Sequence, residues 1–215
     1  MESIKYIYKI GKGPSSSHTM GPRKAAKQFL DELPAHAKSC KVTLYGALAA
    51  TGKGHLTDRA ILEVLTPHMP TEILWAPETI LPFHTNGMNY AAFDANGNQI
   101  ANRTYYSIGG GDIVREGESR TKTESIYKLT KIKDIQRWCE KTGKSYWEYV
   151  DEIEGPEIWE YLTQVWQVMK AAVERGIEAE GVLPGGLGVR RKAVSYYVHA
   201  AGYAQSLKSR GLVYA

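Results

Sequence analysis

The 215-residue chain has little of several things that mark specialised classes of protein. Its two cysteines, Cys40 and Cys139, stand far apart in unrelated sequence, which argues against a disulfide framework and against a metal site built by this chain alone. No stretch approaches the roughly 18 uninterrupted apolar residues of a membrane-spanning helix, and the first residues form no apolar leader segment. We therefore expect a cytoplasmic protein with no membrane partner.

The chain also lacks a strong charge of either sign. Its formal net charge is +4, and it contains no lysine and arginine run and no basic stripe interleaved with aromatic residues. Nucleic acid is therefore a poor candidate for a partner. The composition, 43% hydrophobic and 23% charged, is that of a globular protein with one substantial core, and no internal repeat or low-complexity segment is present.

What the chain does have is a stretch from Gly11 to Arg23 that concentrates turn-forming residues, three consecutive serines and a histidine before a predicted helix. Hydroxyl side chains are typical helix N-caps, and the first turn of a helix leaves about four N–H groups without intrahelical partners. With the positive end of the helix dipole, these groups favour a carboxylate or a phosphate. The stretch therefore predicts an anion-binding turn, to which His18 adds a group that titrates near neutral pH.

Hydrophobic periodicity predicts an α+β fold, a mixed sheet with helices on one face followed by a helical C-terminal segment. The predicted strands lie at 3–9, 41–45, 71–75, 89–94 and 99–106, the last two joined by a hairpin at Asn96-Gly97. Predicted helices lie at 23–33 and 58–65, packed together, and later at 157–175, closed by Gly176, and at 193–207, with shorter helical stretches at 47–50, from 131 and around 146–150.

These elements divide the chain into an α+β domain at 1–114, a polar linker at 115–130 and a helical segment at 131–215. The helical segment carries large apolar side chains, among them Tyr161, Trp166 and Tyr196. If they are exposed, they promote self-association, so a homodimer is expected.

Two nucleotide-binding motifs are approached but not completed. The stretch from Gly46 to Gly54 is one residue too long for a P-loop, and Lys53 is followed by Gly54 where a P-loop has a hydroxyl residue. The pair Gly11 and Gly13 begins a dinucleotide fingerprint, but Ser16 stands at the position of its third glycine. The sequence therefore gives no support to a nucleotide site.

Four motifs occur in an order that resembles one enzyme family. The first is Gly-Pro-Ser-Ser-Ser-His-Thr-Met-Gly-Pro, which runs from 13 to 22. The others are Tyr-Gly-Ala-Leu-Ala-Ala-Thr-Gly-Lys-Gly-His at 45–55 with Thr-Asp-Arg at 57–59, His-Thr-Asn-Gly-Met at 84–88, and Tyr-Tyr-Ser-Ile-Gly-Gly-Gly at 105–111. Together they resemble the β region of the iron–sulfur-dependent L-serine dehydratases, with Thr85 where the family has Pro and Asp112 where it has Phe.

The resemblance implies an L-serine ammonia-lyase, which converts L-serine to pyruvate and ammonia and so serves amino-acid degradation and gluconeogenesis. It implies that 1–114 is the β-type domain and that 131–215 leads into a truncated α region. In the family, three cysteines of the α region hold a [4Fe–4S] cluster. Because this chain lacks such a set, we expect no cluster bound here, no activity of the chain alone, and a cluster-bearing α region or subunit as its partner.

The resemblance also places three histidines, His18, His55 and His84, in one site, since each lies in a turn rich in Gly, Ser, Thr or Asn. They do not have the spacing of a zinc site. We expect His55 to move the α-proton, with Lys53 lowering its pKa, His18 to orient the substrate carboxylate, and His84 to position the hydroxyl. The remaining expected substrate-binding residues are Ser15, Ser16, Ser17, Thr19, Asn86 and Gly87.

Two other functions stay open at this point. The chain could be a regulatory module that binds serine or another small carboxylate without catalysis, because the family's β region resembles the regulatory domain of certain phosphoglycerate dehydrogenases. A weaker alternative is a hydrolase or lyase that acts alone through Ser16 or Ser17 and His18. Adjacent residues of one turn seldom orient as nucleophile and base, and no carboxylate to orient the base is evident.

Overall fold

The computed structural model describes residues 1–119, 124–184 and 188–203. Contacts between these residues group them into two compact units. The sheet unit comprises 11–119 with 183, 184, 188 and 189, and the helical unit comprises 1–10, 124–182 and 190–203. Each unit is described separately below.

The sheet unit is built on five strands: β1 (Ser39–Tyr45), β2 (Thr71–Ala76), β3 (Gly87–Phe93), β4 (Gln99–Gly109) and β5 (Asp112–Arg115). Their order across the sheet is β2-β1-β3-β4-β5, in which β1 and β2 are parallel and the other pairs antiparallel. Three helices accompany them: α1 (Gly21–Asp31), α2 (Gly46–Thr51) and α3 (Thr57–Leu65). One turn of π-helix, Ser16–Met20, leads directly into α1. The predicted mixed sheet of an α+β fold is confirmed.

The core lies between one face of the sheet and the helices. Strand β1 illustrates this arrangement. Its residues Val42 and Leu44 are fully buried, whereas Lys41, which points to the other face, is exposed and forms an ion pair with Glu72 of β2. Alternate residues of a strand point to opposite faces, so one face of this sheet is apolar and the other is largely polar. The apolar face packs against side chains that include Ala25, Phe29, Leu48, Ile61 and Leu65.

One predicted strand is wrong, the one at 3–9. Residues Ile4–Tyr6 form a turn of 3-10 helix, and the first ten residues pack within the helical unit. The carboxylate of Glu154 accepts hydrogen bonds from the Ser3 hydroxyl (2.6 Å) and the Ile4 N–H (2.8 Å). These contacts, made far along the chain, outweigh the short alternation of apolar residues that suggested a strand. The first ten residues thus group with the helical unit and not with the sheet, and the predicted domain bounds stay a prediction.

Strand β5 lies beyond residue 106, where the last predicted strand ends. The three glycines at 109–111 form the turn of a hairpin between β4 and β5. Gly109, Gly110 and Gly111 have φ values of 101°, 59° and 78°, a region that residues with a Cβ rarely adopt. The glycines therefore reverse the chain and leave Asp112–Arg115 free to pair with β4.

The helical unit contains α4 (Ile132–Thr142), α5 (Tyr146–Glu154), α6 (Glu157–Glu178) and α7 (Ala193–Tyr203). Helix α6 continues through Gly176, so its predicted end at 175 is wrong. The part of the last predicted helix beyond 203 lies outside the described residues. Residues 120–123 of the predicted linker lie outside them too. Trp166 and Tyr196 are 62% and 63% exposed, but the homodimer stays a prediction. No helix within the described ranges is both long enough and apolar enough to cross a membrane.

Candidate functional site

The predicted anion-binding turn is the π-helical turn that precedes α1. Ser15 caps it, since its hydroxyl accepts from the His18 N–H (3.1 Å) and its carbonyl accepts from the Thr19 N–H (3.1 Å). The first amides of a helical run have no intrahelical acceptor, so those of Ser16 and Ser17 are the ones that a ligand can use. The turn thus begins at Ser16, seven residues before the predicted helix start at 23.

Two of the predicted histidines lie side by side. The ring centroids of His18 and His55 are 4.8 Å apart, and the rings are tilted by 37°. Two buried threonines hold their backbones reciprocally: Thr57 donates to the His18 carbonyl (2.6 Å), and Thr19 donates to the His55 carbonyl (2.9 Å). Thr57 is 0% and Thr19 3% exposed, so water does not compete for these bonds. These two hydrogen bonds therefore connect the turn before α1 to the turn before α3 next to the two imidazole rings.

The residue between His55 and Thr57 shows how tightly the second turn is held. Leu56 has φ 58° and ψ 34°, the left-handed conformation, and it is the single non-glycine residue with positive φ among those described. This conformation costs a residue with a Cβ roughly 1–3 kcal/mol unless its surroundings impose it. Leu56 thus directs His55 toward His18 on one side and Thr57 into the core on the other.

The hydrogen bond of His55 fixes its tautomer. Its Nδ1 lies 3.0 Å from the carbonyl oxygen of Thr51, and a carbonyl can only accept. The proton of a neutral His55 therefore sits on Nδ1, which leaves a lone pair on Nε2. An imidazole held in this way by its Nδ1–H is able to accept a proton at Nε2 without turning.

His18 is kept neutral by its surroundings. Burial lowers its pKa below the ordinary value, the neighbouring His55 lowers it further, and the Ala47 carbonyl opposes the shift. Its Nδ1 lies 2.9 Å from the Ser17 hydroxyl, while its buried Nε2 has no hydrogen-bond partner within the described chain. A buried polar atom without a partner is unusual in a native structure and marks a position where a ligand atom or water fits.

The third histidine, His84, has the opposite tautomer. The backbone N–H of Asn86 donates to its Nδ1 (3.0 Å), so the proton of a neutral His84 lies on Nε2. The loop that carries it is joined to the start of α2, because the Thr85 carbonyl accepts from the Ala47 N–H (3.2 Å). Gly46, with φ 47°, permits this approach, since a Cβ there would lie 2.6 Å from the Thr85 oxygen. Thr85 thus contributes a backbone carbonyl, which a proline at this position also has, and a hydroxyl 3.4 Å from the Ala47 nitrogen, which a proline lacks.

One residue of this region, Ser107, was not among the predicted site residues. It is fully buried, its N–H donates to the Asn86 carbonyl (3.0 Å), and its carbonyl accepts from the Asn86 side-chain amide (3.3 Å). Its hydroxyl and the Asn86 Oδ1 are both buried without a partner in the described residues. A Cβ on Gly21 would lie 2.3 Å from the Ser107 hydroxyl, so the first glycine of α1 makes room for it. Ser107 lies within the motif at 105–111, but the motif alone does not show that its side chain is buried next to Asn86.

Other predicted residues are placed away from the imidazoles or have their polar groups in use. The Lys53 ammonium lies 5.5 Å from the centre of the Trp75 ring, a cation–π contact. The Thr19 hydroxyl is engaged with the His55 carbonyl and also accepts from the Ser15 N–H (3.3 Å). Gly87 is buried, and a Cβ there would lie 2.7 Å from Leu81 Cδ1. The roles assigned to these residues stay predictions.

The residues of this chain do not fit an iron–sulfur cluster. A cluster requires about three or four thiolate ligands, and the chain has two cysteines. Burial raises the pKa of the Cys40 thiol to about 12, so it remains protonated. Within the described residues no group of three or more His, Cys, Asp and Glu side chains is arranged to hold a metal ion.

The fold and the site define an α+β domain in which two reciprocally fastened turns present a histidine pair. The profile of the family described as Serine dehydratase beta chain matches 3–74 and 64–118, more than half of the sequence. The chain belongs to this family, as the β region of an L-serine dehydratase.

Proteins named L-serine dehydratase are similar to nearly the whole chain. The protein from Streptomyces coelicolor is 35% identical over 259 aligned positions, which cover 97% of this chain and 55% of the relative. L-serine dehydratase 2 of Escherichia coli is 37% identical over 243 positions (91% and 53%), and the Haemophilus influenzae protein 34% over 245 (92% and 54%). The chain thus spans about half the length of the curated relatives it matches.

Proposed function

We propose that this chain is the part of an L-serine ammonia-lyase that binds the substrate carboxylate and moves protons, and that it works with a cluster-bearing α region lying outside its sequence. The family match and the names of the relatives support the enzyme class. The observation that carries the proposal is the hydrogen bond from His55 Nδ1–H to the Thr51 carbonyl, which leaves a lone pair on Nε2 of a ring that lies against the ring of His18.

Elimination of water from serine requires removal of the proton on Cα and departure of hydroxide from Cβ. The Cα proton is weakly acidic, so a base must be held against it in its neutral form. In this proposal His55 Nε2 is that base. Its tautomer is set by a backbone carbonyl, whose hydrogen bond also steadies the imidazolium that forms when the proton arrives.

The neighbouring His18 favours the same assignment. Burial, and then the neighbouring His55 ring 4.8 Å away, lower the pKa of His18. His18 therefore resists a positive charge, and we assign the incoming proton to His55.

The substrate carboxylate is assigned to the turn before α1. The amides of Ser16 and Ser17 open this helical run, and the helix dipole adds a positive potential there. His18 Nε2, buried and without a partner in the described chain, would complete the set of groups around the carboxylate. For the substrate hydroxyl on Cβ, His84 Nε2–H is a suitable donor, because its Nδ1 is occupied by the Asn86 N–H.

A regulatory module that binds a small carboxylate without catalysis remains the second candidate. The amides of the turn before α1 favour it as much as they favour catalysis, because anion binding requires no base. The Nε2 lone pair of His55 can equally accept a hydrogen bond from the ammonium group of a bound amino acid, so an activity measurement distinguishes the two.

Reconstitution tests the proposal. The chain would be expressed together with, or fused to, the remaining half of a relative such as the Streptomyces coelicolor protein, and pyruvate release from L-serine measured under anaerobic conditions. Activity that needs both halves, and that disappears when His55 is replaced by Ala while L-serine still binds, is the expected result. Binding of L-serine together with full activity of the other half alone would instead identify this chain as a sensor.

A further inference from the structure

A cavity of the sheet unit lies next to the histidine pair, and neither of the two rings lines it. It has a volume of about 170 Å³ and is lined by residues of the sheet unit that include Lys12, Thr19, Arg23, Leu56, Arg59 and Glu63. None of the three predicted site histidines lines it, nor do Ser16 and Ser17, whose amides open the turn before α1. The proposed reaction therefore makes no use of this space.

The cavity carries an excess of positive charge. Three of its lining residues are cations, Lys12, Arg23 and Arg59, and Glu63 is the single acid among them. Glu63 is shared, since it pairs with Lys12 (2.6 Å) and Arg23 (2.8 Å), and these two cations hold its pKa below the ordinary value. Within the chain that the structure describes, the Arg59 guanidinium has no ion pair, and the side chains that line the cavity carry a net charge of about +2.

The same cavity touches the contacts that hold the imidazoles. Thr19 lines it and donates its hydroxyl to the His55 carbonyl. Leu56 lines it and is the residue in left-handed conformation that links His55 to Thr57, the threonine that holds His18. A molecule in the cavity would therefore contact Thr19 and Leu56, which position the two histidines, without contacting either imidazole ring.

We propose that this cavity binds a small oxyanion, a carboxylate or a phosphate, and that its binding alters the setting of His55. A water molecule occupies about 30 Å³ in the liquid, so the cavity has room for roughly five waters, for inorganic phosphate or for a small amino acid. Arg59 supplies the charge-assisted, two-pronged contact that planar or tetrahedral oxyanions favour. The site goes beyond the proposed reaction, and its occupancy does not depend on the α region.

The test uses the isotope-labelled chain at low ionic strength, where surface charges are least screened. Inorganic phosphate, L-serine and pyruvate would each be added while the NMR signals of the Arg59 Nε–H, the Thr19 and Leu56 amides and the His55 ring are followed. Arg59→Gln removes the proposed anchor. Arg137→Gln is the matched control, because it removes an exposed guanidinium from the helical unit.

We expect saturable chemical-shift changes that extend to the His55 ring. The affinity should fall by about tenfold or more in Arg59→Gln and should not change in Arg137→Gln. Saturation by phosphate alone would identify a phosphate ligand, and saturation by L-serine or pyruvate a carboxylate. The proposal is overturned if no probe saturates up to about 20 mM, if both variants bind equally, or if the shifts stop at Arg59. Each of these results leaves the reconstitution test of the reaction unaffected.

Discussion

The two threonine fastenings allow a test of how the histidine pair is built. Thr57→Val replaces a fully buried hydroxyl by a methyl group of similar size and leaves the His18 carbonyl without its 2.6 Å donor. An unsatisfied buried acceptor costs about 1–3 kcal/mol in the free energy of unfolding. Thr51→Val is the matched control, because the Thr51 hydroxyl also donates to a backbone carbonyl, that of Ala47, but is exposed.

Because the chain has two units, the loss must be measured within the sheet unit. Hydrogen exchange of the β1 and β3 amides reports the opening free energy there, and 1.4 kcal/mol corresponds to a factor of ten. We expect exchange to be roughly five to a hundred times faster in Thr57→Val, and less than about threefold faster in Thr51→Val. The His18 and His55 ring signals should broaden or separate only in Thr57→Val. Equal exchange in both variants would refute the idea that this bond holds the turns together.

Three further predictions concern single groups. The NMR titration midpoint of His18 should lie below 6.5. As the pH drops below 6.5 the unfolded chain then binds a proton that the native chain does not, so the free energy of unfolding should fall. This fall should be smaller in His18→Asn. Gly21→Ala should lower stability by about 1–3 kcal/mol in urea unfolding, because its methyl would overlap the Ser107 hydroxyl; an unchanged midpoint would contradict this. A thiol reagent should label the partly exposed Cys139 before Cys40, whose thiol is buried with its pKa raised to about 12, and equal rates would contradict that burial.

Much of the sheet unit could be predicted from the sequence because its elements are strongly periodic. Val42 and Leu44 alternate with polar neighbours, and Asn96-Gly97 closes the β3–β4 hairpin where the dipeptide indicates it, with Gly97 at φ 82°. The prediction of a strand at 3–9 is wrong for the opposite reason. An alternation over a few residues is a weak signal, and the hydrogen bonds from Ser3 and Ile4 to Glu154 stabilise a different local structure.

The membership of the site stays a prediction, although the structure places two of its histidines, His18 and His55, side by side. The motifs named His18, His55 and His84, yet local sequence does not show that Thr57 reaches the His18 carbonyl 39 residues away or that Thr19 reaches that of His55. It also does not show tautomers, which depend on whether a carbonyl or an N–H meets Nδ1. Ser107 lies in the motif at 105–111, but its contact with Asn86 depends on strand pairing that local sequence does not show.

The central claim is that His55 removes the α-proton and that the turn before α1 binds the carboxylate. It is tested most directly by steady-state kinetics of the complete enzyme that carries this chain, with its cluster intact. His55→Ala should lower kcat by about 10²–10⁴ with a smaller change in KM. His18→Ala should instead raise KM more than it lowers kcat, because it removes binding shared by substrate and transition state. A His55→Ala enzyme that keeps nearly normal kcat would contradict the account.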